Sequence, residues 1–147
     1  MKSELTVQDF MTQQPQSIEA KESLKKARDM MSKFGIRHLP VTKDGRLVGI
    51  LSERELNIAC GIESIDPNHL LVIDVCSENP YTVAPDTPLR KVAQVMADKC
   101  YGSVLVVEDG KLTGIFTTVD ACDALYQVLD AGITERNVER IRKIRCS

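Results

Sequence analysis

Leu112-Thr113-Gly114-Ile115-Phe116-Thr117-Thr118-Val119-Asp120 reads as a strand that runs straight into a helix. Thr113, Ile115 and Phe116 suit a pleated, mostly buried strand. Thr117 is a good N-cap, because its hydroxyl can accept a bond from an unpaired backbone N–H of the first helical turn. Asp120 lies three residues on, which puts its carboxylate on the same face as Thr117. A helix N-terminus favours anions such as phosphate, and an acidic residue beside it can accept the two hydroxyl hydrogens that a ribose presents. Leu47-Val48-Gly49-Ile50-Leu51-Ser52-Glu53-Arg54-Glu55 repeats the pattern. For either corner alone, a plain helix cap with a dipole-complementing acid is the competing explanation.

The two corners belong to a longer repeat. Sliding the chain on itself by 65 positions matches Val7–Leu56 to Val72–Ala121 without a gap. Val7 meets Val72, Asp9 meets Asp74, Pro15 meets Pro80, Leu24 meets Leu89, Met31 meets Met96 and Val41 meets Val106. Asp44-Gly45 falls on Asp109-Gly110.

Each copy predicts the same parts in order. A short extended piece follows a proline, Ser17-Ile18 or Thr82-Val83. A helix comes next, from about Lys21 to Phe34 in the first copy, with Leu24, Ala27, Met31 and Phe34 at helical spacing. In the second copy Asp86 or Thr87 is the expected cap, with Pro88 in the first turn. Asp-Gly between two strand-like runs then predicts a hairpin, because both turn residues need positive φ. A second helix starts at Ser52 or Thr117.

The fold expected is α+β: two β-α-β-β-α repeats packed about a pseudo-two-fold axis, each with a small three-stranded sheet and two helices. Repeat one covers 5–61, a linker 62–71 with a turn at Asp66-Pro67-Asn68, and repeat two 72–131. Leu5 to Met11 and Leu70 to Cys76 form matching lead-in segments. Residues 132–147 form a basic tail, in which Thr134 caps a helix carrying Val138, Ile141 and Ile144.

The totals restrict function. Of 147 residues 43% are hydrophobic and 27% charged, ordinary for a soluble domain, and the net charge of −2 argues against nucleic acid or an anionic membrane. The N-terminus shows no signal peptide, and the longest aliphatic runs are far too short to span a bilayer. Five scattered cysteines without a C-x-x-C pair suggest neither zinc nor a disulfide framework. Cys60, Cys100 and Cys122 fall in helical patterns where buried thiols are common, and a reduced cytoplasmic setting is expected. With two histidines, no evident base for a cysteine and no Walker-type loop, an enzyme is not expected.

The repeat, the Asp-Gly hairpins and the two corners together resemble a tandem pair of cystathionine-β-synthase (CBS) domains. The residues that carry the likeness are Pro15 and Pro80, Leu39-Pro40-Val41, Gly45 and Gly110, Gly49 to Ser52, and Gly114 to Asp120. The resemblance implies a regulatory, non-catalytic module that binds AMP, ADP, ATP or S-adenosylmethionine as effector in clefts between the repeats, forms a homodimer and acts on a partner protein. It implies that Thr117 and Asp120 hold ribose and phosphate, with Ser52, Glu55, Arg54, Arg37 and His38 as the counterpart. Thr82, Val83, Tyr101, Gly102, Ser103 and Phe116 would wall the adenine cleft, and Ser17 and Ile18 would do so in the first copy. Glu55 departs from the Asp of the pattern by one methylene, so the two clefts should be unequal. The alternative is a structural, dimerising interaction module without nucleotide.

Overall fold

The structure is a computed structural model, and it describes residues 4–62 and 66–131. The expected basic tail and its Thr134-capped helix lie outside the described residues.

The first Asp-Gly hairpin joins β3 (His38–Lys43) to β4 (Arg46–Ser52), and the second joins β7 (Ser103–Glu108) to β8 (Lys111–Thr117). Asp44 and Gly45 take φ of 53° and 77°, and Asp109 and Gly110 take 52° and 77°. Two consecutive positive φ values are what the tight hairpin turn requires. β2 (Ile18–Glu19) lies parallel to β3, and β6 (Thr82–Val83) lies parallel to β7. The intervening helices, α1 (Leu24–Phe34) and α4 (Leu89–Lys99), therefore make the two expected crossovers. The helices after the corners are α2 (Glu53–Cys60) and α5 (Thr118–Ala131).

α1 begins three residues later than periodicity suggests, because Ser23 is the cap and accepts from the Lys26 amide at 3.2 Å. Its counterpart in α4 is Pro88, not Asp86 or Thr87, and it offers no side-chain cap. Backbone compensates in both copies. Leu24 N–H donates to the Leu70 carbonyl at 2.9 Å, and Leu89 N–H donates to the Leu5 carbonyl at 2.8 Å.

Those bonds reveal an exchange that the repeat alone does not show. The lead-in segment of each copy joins the other copy's sheet. After a turn of 3-10 helix at Val7–Asp9 comes β1 (Thr12–Gln13), which pairs antiparallel with β8. After α3 (Val72–Val75) comes β5 (Ser77–Glu78), which pairs antiparallel with β4. Each sheet therefore has a fourth strand beyond the expected three, in the orders β2-β3-β4-β5 and β1-β8-β7-β6. Asp9 and Asp74 hold the two lead-in turns by accepting the amides of Thr6 and Leu71 at 2.8 and 3.3 Å.

The chain accordingly divides into two compact units offset from the sequence repeat. One is residues 15–80, and the other combines 4–14 with 81–131. The first unit packs Leu24, Ala27 and Met31 of α1 against Leu39, Val41, Leu51, Leu56 and Val72. The second packs Val92 and Met96 of α4 against Val7, Phe10, Val104, Val106, Phe116 and Ala124. In the linker, Asp66 accepts from the Asn68 amide at 2.9 Å, which makes the Asp66-Pro67-Asn68 turn.

The thiols differ from expectation, since Cys100 and Cys122 are exposed and Cys60 is half-buried. Cys100 also sits at the C-cap of α4 with φ of 57°, where its counterpart Gly35 has φ of 64°. A side chain at positive φ costs roughly 1 kcal/mol. Cys100→Gly is expected to stabilise the protein by about 0.5–1 kcal/mol. A urea midpoint that falls or stays unchanged would contradict this.

Candidate functional site

Both corners close as reciprocal caps. At the first, Ser52 N–H donates to Glu55 Oε2 at 3.1 Å and Glu55 N–H donates to Ser52 Oγ at 3.3 Å. At the second, Thr117 N–H and Oγ1 donate to Asp120 Oδ2 at 2.9 and 3.3 Å, and Asp120 N–H lies 3.5 Å from Thr117 Oγ1. The spacing brings hydroxyl and carboxylate together at a helix start in both copies.

Each corner abuts the start of the neighbouring strand. Ser52 pairs with His38, and Glu53 N–H donates to the Arg37 carbonyl at 2.8 Å. Thr117 pairs with Ser103, and Thr118 N–H donates to the Gly102 carbonyl at 3.1 Å. Arg37, His38 and Ser52 are thus brought beside Glu55, and Gly102 and Ser103 beside Asp120.

In the first unit Arg37, His38 and Ser52 line a cavity of about 500 Å³, together with Glu53, Arg54, Asn57 and Ile58. Arg37 Nε approaches Glu53 at 3.9 Å, with both side chains well exposed. Two arginines and one carboxylate line this pocket, and the Glu55 carboxylate stands beside it on Ser52. The second copy carries Gly102, Ser103 and Val119 where the first carries Arg37, His38 and Arg54. The two corners are therefore chemically unequal.

Burial pushes the His38 imidazole below its ordinary pKa and Arg37 adds to this, while Glu55 and Glu53 pull the other way. As pH falls below about 6.5, the unfolded chain takes up the proton before the folded one does. The stability tied to neutral His38 is present above that pH and is lost as the medium acidifies. His38→Gln is expected to flatten the fall in thermal midpoint between about pH 7 and 5. Parallel profiles for variant and wild type would contradict this.

The expected wall residues divide. Tyr101 is exposed and stacks on Tyr81, with ring centroids 5.6 Å apart. Thr82 is exposed and Val83 half-buried, on the far side of β7 from β8. Ser17 is exposed, but Ile18 is 3% exposed and belongs to the core of its unit. Phe116, expected on the cleft wall, is 1% exposed and packed in the second core. It packs there with Val104 and Val106 of β7, and its neighbours Gly114 and Ile115 are buried as well.

Sequence reasoning missed two hydroxyls. Ser77 Oγ of β5 donates to Glu55 Oε1 at 2.6 Å, and Thr12 Oγ1 of β1 reaches Asp120 Oδ1 at 3.5 Å. Thr12 and Ser77 are in register at the 65-residue repeat, a signal that was present, but nothing local shows that their strands change sheets. Gly49 and Gly114 make the approach possible. A Cβ at Gly49 would lie 2.7 Å from the Ser77 carbonyl oxygen, and one at Gly114 would overlap the Met11 side chain. Cys76, beside the first corner, has its thiol pushed up by burial and by the Glu55 and Glu78 charges, and so stays protonated.

Among the described residues no helix is long and apolar enough to cross a membrane, and no group of His, Cys, Asp and Glu is arranged to hold a metal.

The chain is 31% identical over 127 residues to the A-adding tRNA nucleotidyltransferase of Aquifex aeolicus, a match spanning 86% of this chain but 15% of that enzyme. Two solved structures match most of both chains. CBSX2 in complex with AMP is 27% identical with a TM-score of 0.71, covering 84% of this chain and 97% of that one. The CBS domain pair of MJ0100, in complex with 5′-methylthioadenosine and S-adenosylmethionine, is 25% identical with a TM-score of 0.73, covering 84% and 98%. The CBS domain profile matches twice, at residues 7–60 and 72–127. The duplicated crossover, hairpin and capped corner are accordingly those of a tandem pair, and the chain belongs to the CBS domain family.

Proposed function

We propose that this chain is a regulatory ligand-sensing module without catalytic chemistry of its own. It binds an adenosine-containing molecule, AMP, ADP, ATP or S-adenosylmethionine, at the Thr117–Asp120 corner. The observation that carries this reading is the Asp120 carboxylate held at the N-terminus of α5, beside Thr117 and Ser103. A carboxylate there accepts the ribose hydroxyls, and the helix N-terminus favours the phosphate or carboxylate of the ligand. Solved CBS pairs that hold AMP or S-adenosylmethionine support the ligand class. Arg37, Arg54 and His38 give the first corner the chemistry of an anion pocket.

The module works by differential binding, shifting a conformational equilibrium toward the state that holds the ligand better. It acts as a homodimer on a separate protein in the cytoplasm. Val119, Tyr126 and Leu129 of α5 are 72%, 64% and 73% exposed, an apolar stripe suited to subunit contact. The same stripe favours the second reading, a dimerising interaction module that binds no nucleotide.

Thermal unfolding with millimolar AMP, ADP, ATP and S-adenosylmethionine separates the two. A ligand at a hundredfold its dissociation constant is expected to stabilise by about 2.7 kcal/mol. If none of the four moves the midpoint, the interaction module is the better account.

A further inference from the structure

Thr12 and Ser77 hold the same position in the repeat, yet each serves the corner of the other copy. Thr12 precedes the first repeat's β2 but reaches Asp120, while Ser77 precedes β6 but bonds Glu55. The arrangement occurs twice, on two different hydroxyl residues and two different carboxylates. We propose that Thr12 is a positioning residue of the Thr117–Asp120 corner, fixing the carboxylate that receives a vicinal diol, while Ser77 fixes Glu55 at the other corner. This rests on the adenosine reading above and adds residues that lie outside either corner's own repeat.

Each corner depends on the orientation of a carboxylate. Its terminal torsion is broad and roughly two-fold, so cap bonds to one oxygen alone leave the plane free to rock. In each corner the cap amide holds one oxygen (Glu55 Oε2, Asp120 Oδ2) and the lead-in hydroxyl addresses the other (Glu55 Oε1, Asp120 Oδ1). Donors on both oxygens fix the plane.

Backbone pairing delivers the hydroxyl. Thr12 pairs with Ile115 and Gln13 with Gly114, and Ser77 pairs with Ile50 and Glu78 with Gly49. Gln14 N–H adds a bond to the Thr113 carbonyl at 3.1 Å. The corner glycine lets the strand come close, the strand sets the hydroxyl, and the hydroxyl sets the carboxylate. The chain needed to complete the second corner therefore starts before the first repeat's own β2.

The test uses the full chain, with AMP and 2′-deoxy-AMP as probes in titration calorimetry. Thr12→Val keeps the β-branched shape on an exposed edge strand and removes only the hydroxyl. It is expected to weaken AMP about fivefold, and Thr12→Ser to restore most of that. The loss should shrink to less than about twofold for 2′-deoxy-AMP, because the diol contact that Thr12 serves is already broken. Ser77→Ala, at the other corner, should leave AMP affinity within about twofold. Unchanged AMP affinity in Thr12→Val, equal losses for both probes, or an equal loss in Ser77→Ala would each overturn the proposal while leaving the corner reading intact. If Asp120→Ala binds AMP as well as wild type, the corner reading itself fails, and the role of Thr12 falls with it.

Discussion

Gly49→Ala is expected to destabilise the protein by about 2–4 kcal/mol, against about 1 kcal/mol for Gly114→Ala. The two glycines occupy the same place in the repeat and meet different neighbours. A methyl carbon at 49 would lie 2.7 Å from the Ser77 carbonyl oxygen and 2.9 Å from Cys76 Sγ. The oxygen is backbone in a paired strand, so relief requires β5 to move away. That strand is held by only two residue pairs, Gly49↔Glu78 and Ile50↔Ser77. Moving it also breaks the 2.6 Å bond from Ser77 to Glu55. At 114 the obstruction is Met11, an unbranched side chain with three rotatable bonds that can repack. Loss of glycine's chain entropy offsets each cost by less than about 1 kcal/mol. Urea unfolding of the two variants checks the order. Equal midpoints, or a milder effect at 49, would show that the lead-in strands do not constrain the corners as described.

Asp120→Ala is expected to act on two quantities at once. It removes the acceptor of the Thr117 amide and hydroxyl and of the Thr12 hydroxyl. Loss of a cap of this kind costs about 1 kcal/mol of stability. The larger effect is on the ligand. The stabilisation of about 2.7 kcal/mol expected at a hundredfold the dissociation constant should vanish. Asp120→Glu reproduces the first corner in the second. It keeps the reciprocal cap, since Ser52 and Glu55 already form one, but displaces the carboxylate by a methylene. It should retain stability and lose most of the ligand response. Thermal melts with and without AMP measure both quantities. A variant destabilised by the cap loss alone, with its ligand shift intact, would reduce Asp120 to a structural cap.

Much of this was legible in the chain because the signals were local and doubled. Asp-Gly at 44–45 and 109–110 states its own turn, and both pairs adopt positive φ. Ser52 with Glu55 and Thr117 with Asp120 state their own caps, and both close. What stayed hidden was long-range. Thr12 and Asp120 are 108 residues apart in sequence, and two-residue strands such as β1 and β5 carry no periodicity to read. The repeat therefore suggested units of 5–61 and 72–131, while the compact units run across that boundary. Phe116 shows the same limit on a smaller scale. Its position in a motif invited a place on the cleft wall, but it packs with Val104 and Val106 in the core of its unit. The inequality of the corners was visible as Glu55 against Asp120, and the structure shows both oxygens of each carboxylate bonded within the chain.

Titration calorimetry of the full chain with AMP and with S-adenosylmethionine, on wild type, Asp120→Ala and Glu55→Ala, addresses the adenosine corner most directly. Saturable binding of one of these ligands is expected in wild type and in Glu55→Ala, and no measurable heat in Asp120→Ala. Binding that survives Asp120→Ala but is lost in Glu55→Ala, or wild type that binds neither ligand, would contradict it.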